Sequence, residues 1–317
     1  MSRVLVTGAN GFIAARLIPE LARDHQVVAL ARRAPTPVLA PLATWHQAEL
    51  DDPQTLPTAV LRDVAAVVHL AGIAHVDPRH DAGFAARLQA INVDLPTALA
   101  EAAARQGVQR FIFVSSATVH GPDSGTQPFR EDSPVQPAGP YPGSKVEAER
   151  RLADLRQAHD MDITIVRPPL VYGPGVKGNL ARLLAWAERR RPLPTAVFRN
   201  RRSFIALENL CRFLCRLVES PAGRNEVFLV SDNQDVSTGE LYTLLSRALG
   251  HDPRFLPIPF GPLRVALRAA GQGAAVSRLF GNCQVDPTKA MTTLDWQPRP
   301  VMQDEIAHTV QAFRHAA

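Results

Sequence analysis

Residues 3–14, RVLVTGANGFIA, join a short apolar run to a turn with two glycines and then to a helical pattern. A buried strand that breaks at glycine and restarts as a helix directs backbone N–H groups and the positive end of the helix dipole toward one point. That point suits a pyrophosphate. The stretch therefore predicts a dinucleotide site in a doubly wound α/β fold with a parallel sheet, and an ordinary strand-to-helix turn is the alternative.

The residues of this turn have separate expected roles. Gly8 permits the tight turn, Gly11 lets the phosphates approach the backbone without a β-carbon in the way, and Ala14 keeps the helix close to the strand. The residues predicted to contact the dinucleotide here are Gly8, Asn10, Gly11, Phe12 and Ile13.

The glycine spacing and two later motifs resemble one family. Residues 8–14 read Gly-x-x-Gly-x-x-Ala, residues 115–121 read Ser-Ser-Ala-Thr-Val-His-Gly after an apolar run, and residues 141–145 read Tyr-Pro-Gly-Ser-Lys. In this order and spacing they resemble the extended short-chain dehydrogenase/reductase family, which includes the sugar-nucleotide epimerases, dehydratases and ketoreductases. The resemblance covers essentially the whole chain and implies a parallel Rossmann sheet with a smaller C-terminal substrate-binding lobe.

The same resemblance implies a catalytic site of Ser116, Tyr141 and Lys145. Tyrosine and lysine four residues apart lie on one helical face, and we expect a protonated Lys145 to lower the pKa of the Tyr141 phenol. A phenol tuned in this way exchanges a proton with a carbinol or a ketone near neutral pH. The family motif places the catalytic hydroxyl five residues before Gly121, at Ser116, so we expect Ser115 to be packed.

The end of the second predicted strand indicates the cofactor. The strand at residues 26–31 ends at Arg32-Arg33. In dinucleotide folds an acidic residue at this place binds the ribose 2′-hydroxyl, whereas an arginine accommodates a 2′-phosphate. Ala31 stands where the acid is expected. NADP(H) is therefore favoured and NAD(H) is possible, with surface arginines that have no ligand as the alternative.

The resemblance implies further contacts with the cofactor. Glu49 with Leu50 matches an acidic–apolar pair that caps the adenine, and the small pair Ala71-Gly72 after a buried strand matches the stretch on which the cofactor lies. Asn92 matches an asparagine that holds neighbouring strands and the cofactor loop; a polar residue at the edge of a helix is the alternative. The residues in this group are Glu49, Leu50, Leu70, Ala71, Gly72, Asn92 and Pro168, together with Tyr141 and Lys145.

Substrate contacts are expected from three residues. Asn179 opens a predicted helix, and Arg202 matches the arginine of a family element, where a guanidinium fork suits a pyrophosphate. Ser116 is the third. His120 and Leu170 stand where many relatives have tyrosine and asparagine, which removes polar contacts with a sugar.

Composition narrows the function classes. The 317 residues carry a formal net charge of +5, but the arginines are scattered and aromatic residues make up 6%, so we expect an anionic small molecule and no nucleic acid. Cys211, Cys215 and Cys283 form no metal-ligand spacing, so no metal is expected. With neither a signal peptide nor a membrane span in the sequence, we expect a cytoplasmic protein. The family resemblance implies a homodimer.

Two portions are predicted. Residues 1–159 form the NAD(P)-binding Rossmann domain, and residues 160–317 form a substrate-binding portion. Strands near Ile165, Ile205 and Phe228 are expected to return to the main sheet.

The predicted reaction is the NADP(H)-dependent reduction of the C4 keto group of a nucleotide-linked sugar, with UDP as the expected nucleotide, in polysaccharide precursor synthesis. Residues 69–76 and 167–179 look most like the UDP-4-keto-6-deoxy-N-acetylhexosamine reductases. One alternative is a NAD-dependent UDP-hexose 4-epimerase, which keeps its nicotinamide through both half-reactions. The other is a non-catalytic dinucleotide-binding regulatory protein, for which Ser116, Tyr141 and Lys145 together have no use.

Overall fold

The computed structural model describes residues 1–50, 56–74, 83–269, 280–299 and 301–316. The last two residues of the predicted 69–76 stretch lie outside these ranges. The strands are β1 (Arg3–Thr7), β2 (Gln26–Ala31), β3 (Thr44–Gln47), β4 (Val64–His69), β5 (Arg110–Val114), β6 (Asp162–Arg167), β7 (Leu170–Tyr172), β8 (Leu193–Pro194), β9 (Phe204–Ala206), β10 (Val227–Leu229) and β11 (Phe255–Leu256). The helices are α1 (Phe12–Leu21), α2 (Phe84–Gln89), α3 (Leu95–Arg105), α4 (Pro140–Ala158), α5 (Gly178–Glu188), α6 (Leu207–Glu219), α7 (Thr238–Ala248), α8 (Phe260–Ala269), α9 (Thr288–Leu294) and α10 (Met302–Ala316).

The main sheet has seven parallel strands in the order β10-β6-β5-β4-β1-β2-β3. From β1 the chain builds outward through β2 and β3, and then crosses to β4 on the other side. This reversal places a topological switch point between β1 and β4, and ligands of doubly wound folds bind outside the carboxyl ends of the strands at such a point. The predicted fold class is confirmed.

Both faces of the main sheet are covered by helices. Along β1, Val4 and Val6 pack into the cluster under α1 and α6, whereas Leu5 packs into the cluster under α3 and α4. All three side chains are fully buried. Strands buried on both faces have near-continuous apolar runs, which is why the sequence shows such runs here. Among the described helices, none is long and apolar enough to cross a membrane.

The main sheet takes strands from both predicted portions. Strands β6 and β10 join it next to β5, so it continues past residue 159; the domain boundary itself stays a prediction. The expectation for Ile205 is wrong, because β9 pairs with β7 in a separate two-stranded sheet. Pro168 and Pro169 follow β6, and without N–H groups they cannot continue its hydrogen-bond ladder. The chain therefore leaves the sheet before β7.

A π-helical turn interrupts the helical segment that contains α2 and α3. The turn spans Ala90–Asp94 and joins α2 to α3 without a loop. Ile91, Asn92 and Val93 are all buried in it. Such turns are rare and frequently occur at functional sites.

Candidate active site

The glycine-rich turn leaves N–H groups free at the switch point. Gly8 has a φ of +65°, and the Gly11 N–H donates to the Gly8 carbonyl at 2.7 Å. Gly11 is the N-cap of α1 without a side-chain cap, and the first turn of α1 contains no acidic residue. The N–H groups of Phe12 and Ile13 therefore have no partner within the helix. This cradle fits the diphosphate of a dinucleotide.

Asn10 holds the loop after β2 against this turn. Its side-chain Oδ1 accepts a hydrogen bond from the Arg33 N–H, and its Nδ2 donates to the Ala34 carbonyl, both at 3.2 Å. Gln47 at the end of β3 donates to the Arg32 carbonyl at 3.0 Å. The Arg32 side chain is exposed at the end of β2. That position suits a contact with the substituent on the ribose 2′ carbon.

The pair predicted to cap the adenine divides between surface and core. Glu49 is exposed, whereas Leu50 is 4% exposed and packs into the core with Leu5, Val28 and Leu30. The Leu50 side chain therefore belongs to the sheet core, and the adenine contacts of Glu49 and Leu50 stay predictions.

Asn92 joins the end of β4 to the catalytic helix. Its Oδ1 accepts from the Ile73 N–H at 2.8 Å, while its Nδ2 lies 3.0 Å from both the Ile73 carbonyl and the Ser144 hydroxyl. A β-carbon built on Gly72 would lie 3.3 Å from Asn92 Oδ1 and 3.6 Å from Lys145 Nζ. Asn92 therefore has hydrogen-bond partners on both segments, and its contact with the cofactor stays a prediction. Gly72 lies directly beside Lys145.

The end of β4 also carries a histidine to which the sequence analysis gave no role. His69 Nδ1 lies 3.0 Å from the Thr7 hydroxyl, and the Ala71 N–H donates to the same hydroxyl at 3.3 Å. Leu70 is half-buried between them. Burial, followed by the charge of Lys145, lowers the pKa of His69 to about 3. His69 is therefore neutral and links β4 to β1.

The structure brings Ser116, Tyr141 and Lys145 together. Ser116 follows β5, and its hydroxyl lies 2.8 Å from the Thr118 hydroxyl; Tyr141 and Lys145 lie on successive turns at the start of α4. Lys145 Nζ donates to the Val114 carbonyl at 3.0 Å, at the end of the strand that precedes Ser116. The predicted catalytic group is thus assembled at the carboxyl edge of the sheet.

The pKa values of the tyrosine and the lysine are shifted mainly by burial. Burial raises the pKa of Tyr141, and a hydrogen bond with Ser116 opposes this effect. Burial lowers the pKa of Lys145 to about 8, which the charge of Glu149 opposes. The expected lowering of the Tyr141 pKa by Lys145 is wrong for the free protein, since desolvation dominates. Tyr141 is therefore protonated in the free protein at neutral pH.

A buried polar network lies behind the catalytic group. Ser115 donates to Glu149 on α4, and the Glu149 carboxylate pairs with Arg167 at 2.6 Å. Arg167 in turn contacts His120 Nε2 at 3.0 Å. The predicted packing of Ser115 is confirmed, and His120 is 3% exposed. Glu149 was missed, although it follows Lys145 by four residues on the same buried stripe of α4.

The predicted substrate residues lie in the C-terminal half, except Ser116. Asn179 is exposed near the start of α5. Arg202 is half-buried; its backbone pairs with Val236, and its Nη1 donates to the Gly281 carbonyl at 3.1 Å. Pro168 is buried, with its carbonyl accepting from the N–H after Ser116 at 2.9 Å. The substrate contacts of Asn179 and Arg202 stay predictions.

Within the described ranges, no group of three or more His, Cys, Asp or Glu side chains is arranged to hold a metal ion. The cysteines Cys211, Cys215 and Cys283 are free thiols whose pKa values burial raises. They are therefore weak nucleophiles.

Two known proteins are similar in sequence to this chain over nearly its full length. UDP-glucose 4-epimerase from Vibrio cholerae is 34% identical over 319 residues, which cover 99% of this chain and 96% of that protein. UDP-glucose 4-epimerase from Mycolicibacterium smegmatis is 30% identical over 345 residues, with 99% of each chain covered. Among solved structures, UDP-glucuronic acid 4-epimerase from Bacillus cereus in complex with NAD superposes with a TM-score of 0.81. It is 20% identical over 99% of this chain and 97% of that one, so it supports the fold.

The sequence model of one family matches most of the chain. The description of that family is the NAD dependent epimerase/dehydratase family, and the match spans residues 4–231. This range contains the glycine-rich turn, Ser116, Tyr141 and Lys145. The chain belongs to the NAD-dependent epimerase/dehydratase family.

Proposed function

We propose that this chain is a UDP-sugar 4-epimerase, which inverts the C4 hydroxyl of its substrate through a C4 ketone. The observation that carries the proposal is the grouping of Ser116, Tyr141 and Lys145 beside an uncapped glycine-rich turn. Two full-length relatives, each at least 30% identical, are UDP-glucose 4-epimerases. This reading fits the relatives at least as well as the net reduction expected from the sequence.

Each catalytic side chain has a role at a stated atom. Tyr141 must first lose its phenolic proton; the phenolate then accepts the proton of the C4 hydroxyl as the ketone forms and returns it as the ketone is reduced, while Ser116 holds the C4 oxygen by a hydrogen bond. Lys145, beside Gly72, would hold a ribose hydroxyl of the nucleotide. A bound nicotinamide dinucleotide supplies the hydride chemistry at C4. Phe12 and Ile13 N–H groups would hold its diphosphate.

A second candidate is the NADPH-dependent 4-ketoreductase. Two observations favour it: the exposed Arg32 at the end of β2 suits a 2′-phosphate, and the protonated Tyr141 can donate directly to a ketone oxygen. We therefore keep NADP(H) as the proposed cofactor for this reaction, with NAD(H) for the epimerase. A cytoplasmic homodimer stays a prediction, and light scattering on the purified protein tests the dimer.

The experiment follows the stoichiometry of the cofactor. UDP-glucose and UDP-N-acetylglucosamine are incubated with the protein and either NAD⁺ or NADP⁺, and a UDP-4-keto-6-deoxyhexosamine with either NADH or NADPH, while nicotinamide absorbance and sugar products are measured. Interconversion of C4 epimers without net consumption of added nicotinamide supports the epimerase. Consumption of one NADPH per keto sugar converted establishes the reductase instead. Absence of turnover with every sugar, in a protein that binds the dinucleotide, contradicts both enzymes.

A further inference from the structure

The buried network next to Ser116, Tyr141 and Lys145 joins three segments of the chain: the end of β5, the helix α4 and the end of β6. Ser115 lies next to Ser116 and donates to the Glu149 carboxylate. Glu149 lies one helical turn after Lys145, on the buried face of α4. Arg167 ends β6 and immediately precedes Pro168. A single carboxylate therefore bridges the strand end that carries the serine and the helix that carries the lysine.

The pairing between Glu149 and Arg167 is close and shielded from solvent. Arg167 Nη2 lies 2.6 Å from Glu149 Oε2, and its Nε lies 3.1 Å from Oε1, so the guanidinium binds the carboxylate in a fork. The two side chains are 7% and 8% exposed. The remaining Nη1 is 3.0 Å from His120 Nε2, and His120 Nδ1 lies 3.1 Å from the Ser133 carbonyl. The arrangement satisfies both buried charges.

Lys145 has few charged neighbours. On its own helix it faces Tyr141, which is protonated, and Glu149. From β4 it faces His69, which is neutral at physiological pH. From β5 it faces the Val114 carbonyl and the Phe113 ring, whose centroid lies 4.6 Å from Nζ. Within the described part of the chain, Glu149 supplies the negative charge that acts on Lys145.

We propose that Glu149, held by Arg167 and Ser115, is a positioning residue for the catalytic group: it fixes the end of β5 against α4 and keeps Lys145 charged. This inference rests on the proposed function for its meaning in catalysis. Its physical content concerns only side chains of the described structure, so it can be tested without a substrate.

The direct test is the titration of Lys145. Lys145, Lys177 and Lys289 are the lysines of the sequence, so carbon-13 labelling of the lysine ε-carbon gives few NMR signals, and Lys177→Arg and Lys289→Arg assign them. In the wild-type chain the Lys145 signal is expected to titrate at about pH 8. In Glu149→Gln, which removes the negative charge and leaves the Arg167 charge in place, we expect its midpoint to fall by about one pH unit. In Arg167→Gln, which leaves the Glu149 charge in place, we expect no fall.

Glu147→Gln is the matched control. Glu147 lies on the same helix two residues from Lys145, but its carboxylate is on the surface and pairs with Arg150 and Arg151. Its loss is expected to leave the Lys145 titration unchanged. An unchanged midpoint in folded Glu149→Gln overturns the proposal. A shift of the same size in Glu147→Gln also overturns it, since the effect is then a general one of helix charge.

Ser115→Ala tests the positioning half separately and does not depend on folding of the two charge variants. It leaves both charges in place and removes the hydrogen bond between β5 and Glu149. We expect kcat to fall about tenfold with KM and the Lys145 midpoint little changed. Wild-type kcat in Ser115→Ala overturns this half. A wild-type protein that turns over no C4 substrate fails the proposed function instead, and the lysine titration remains a valid test.

Discussion

Gly8 lies so close to Ala71 that a β-carbon on Gly8 would stand 2.7 Å from the Ala71 amide nitrogen. Its φ of +65° also disfavours any side chain. We therefore expect Gly8→Ala to lower the free energy of unfolding by about 2 to 4 kcal/mol, from the backbone strain and the overpacking together. Urea unfolding followed by circular dichroism measures the change. An unfolding free energy equal to that of the wild type would show that the turn relaxes at no cost.

Gly72→Ala is expected to act on the ligand rather than on the fold. Its β-carbon would meet only the ends of Asn92 and Lys145, at 3.3 and 3.6 Å, so we expect a loss of stability below about 1 kcal/mol. Affinity for the dinucleotide is expected to fall about tenfold or more, because the methyl group occupies the surface beside the lysine. Fluorescence titration with NADH and NADPH measures it. Equal affinity in the variant would show that the dinucleotide does not lie against Gly72.

Tyr141→Phe removes the transferable proton and keeps the ring. We expect kcat to fall about 100- to 10,000-fold while the dissociation constant of the dinucleotide changes little. Tyr242→Phe is the matched control, since its hydroxyl donates to the Arg191 carbonyl at 2.7 Å inside the substrate lobe. That variant should lose about 1 kcal/mol of stability and keep its turnover. Near wild-type turnover in Tyr141→Phe would show that the Tyr141 hydroxyl takes no part in the proton transfer.

Arg32→Ala tests the choice between the two dinucleotides. A charge-assisted hydrogen bond to a 2′-phosphate contributes about 1.5 to 3 kcal/mol, so NADPH binding should weaken about 10- to 100-fold and NADH binding hardly at all. Arg62→Ala is the control, because Arg62 is an exposed arginine that precedes β4, at the opposite edge of the sheet. If the wild type binds NADH as tightly as NADPH, the preference for NADP(H) is withdrawn.

His69 makes the free energy of unfolding depend on pH. Its pKa is about 3 in the folded protein against 6.5 for the free side chain, so the unfolded chain binds the extra proton. Its contribution to stability is complete above pH 6.5 and is lost as the pH falls toward 3. Between pH 6.5 and 4.5 the wild type should lose about 2 kcal/mol more than His69→Gln. Parallel loss of stability in the two proteins would show that His69 becomes protonated in the fold.

The fold and the grouping of Ser116, Tyr141 and Lys145 could be predicted from the sequence, because both depend on short-range patterns. The glycine turn, the apolar runs of β1, β4 and β5, and the spacing of Tyr141 and Lys145 are each contained in a few consecutive residues. Their meeting at one edge then follows from the rule that parallel strands end on the same side of a sheet. The family motif alone was enough to select Ser116 rather than Ser115 as the predicted catalytic serine.

Other features depend on contacts between residues distant in the chain. Glu149 and Arg167 look like surface charges in the sequence, and only the packing of α4 on β6 buries them as a pair. The pKa of Tyr141 reflects desolvation, which spacing to Lys145 does not reveal. Ile205 lies in an apolar triplet that fits either the main sheet or the two-stranded sheet. Its strand pairs with β7, which the prolines after β6 separate from the main sheet.

The π-helical turn at Ala90–Asp94 makes the length of this segment, and not only its composition, a requirement of the site. A π turn holds one residue more than an α turn, so deleting a single residue there would restore a regular helix. The repaired helix would be the easier one to form, and α2 and α3 would keep nearly the same relative orientation, because the π turn accommodates its extra residue locally. The positions inside the turn would shift, and Asn92 would then leave Ile73 and Ser144. One residue lost here would therefore exchange the contacts of Asn92 for a more regular backbone.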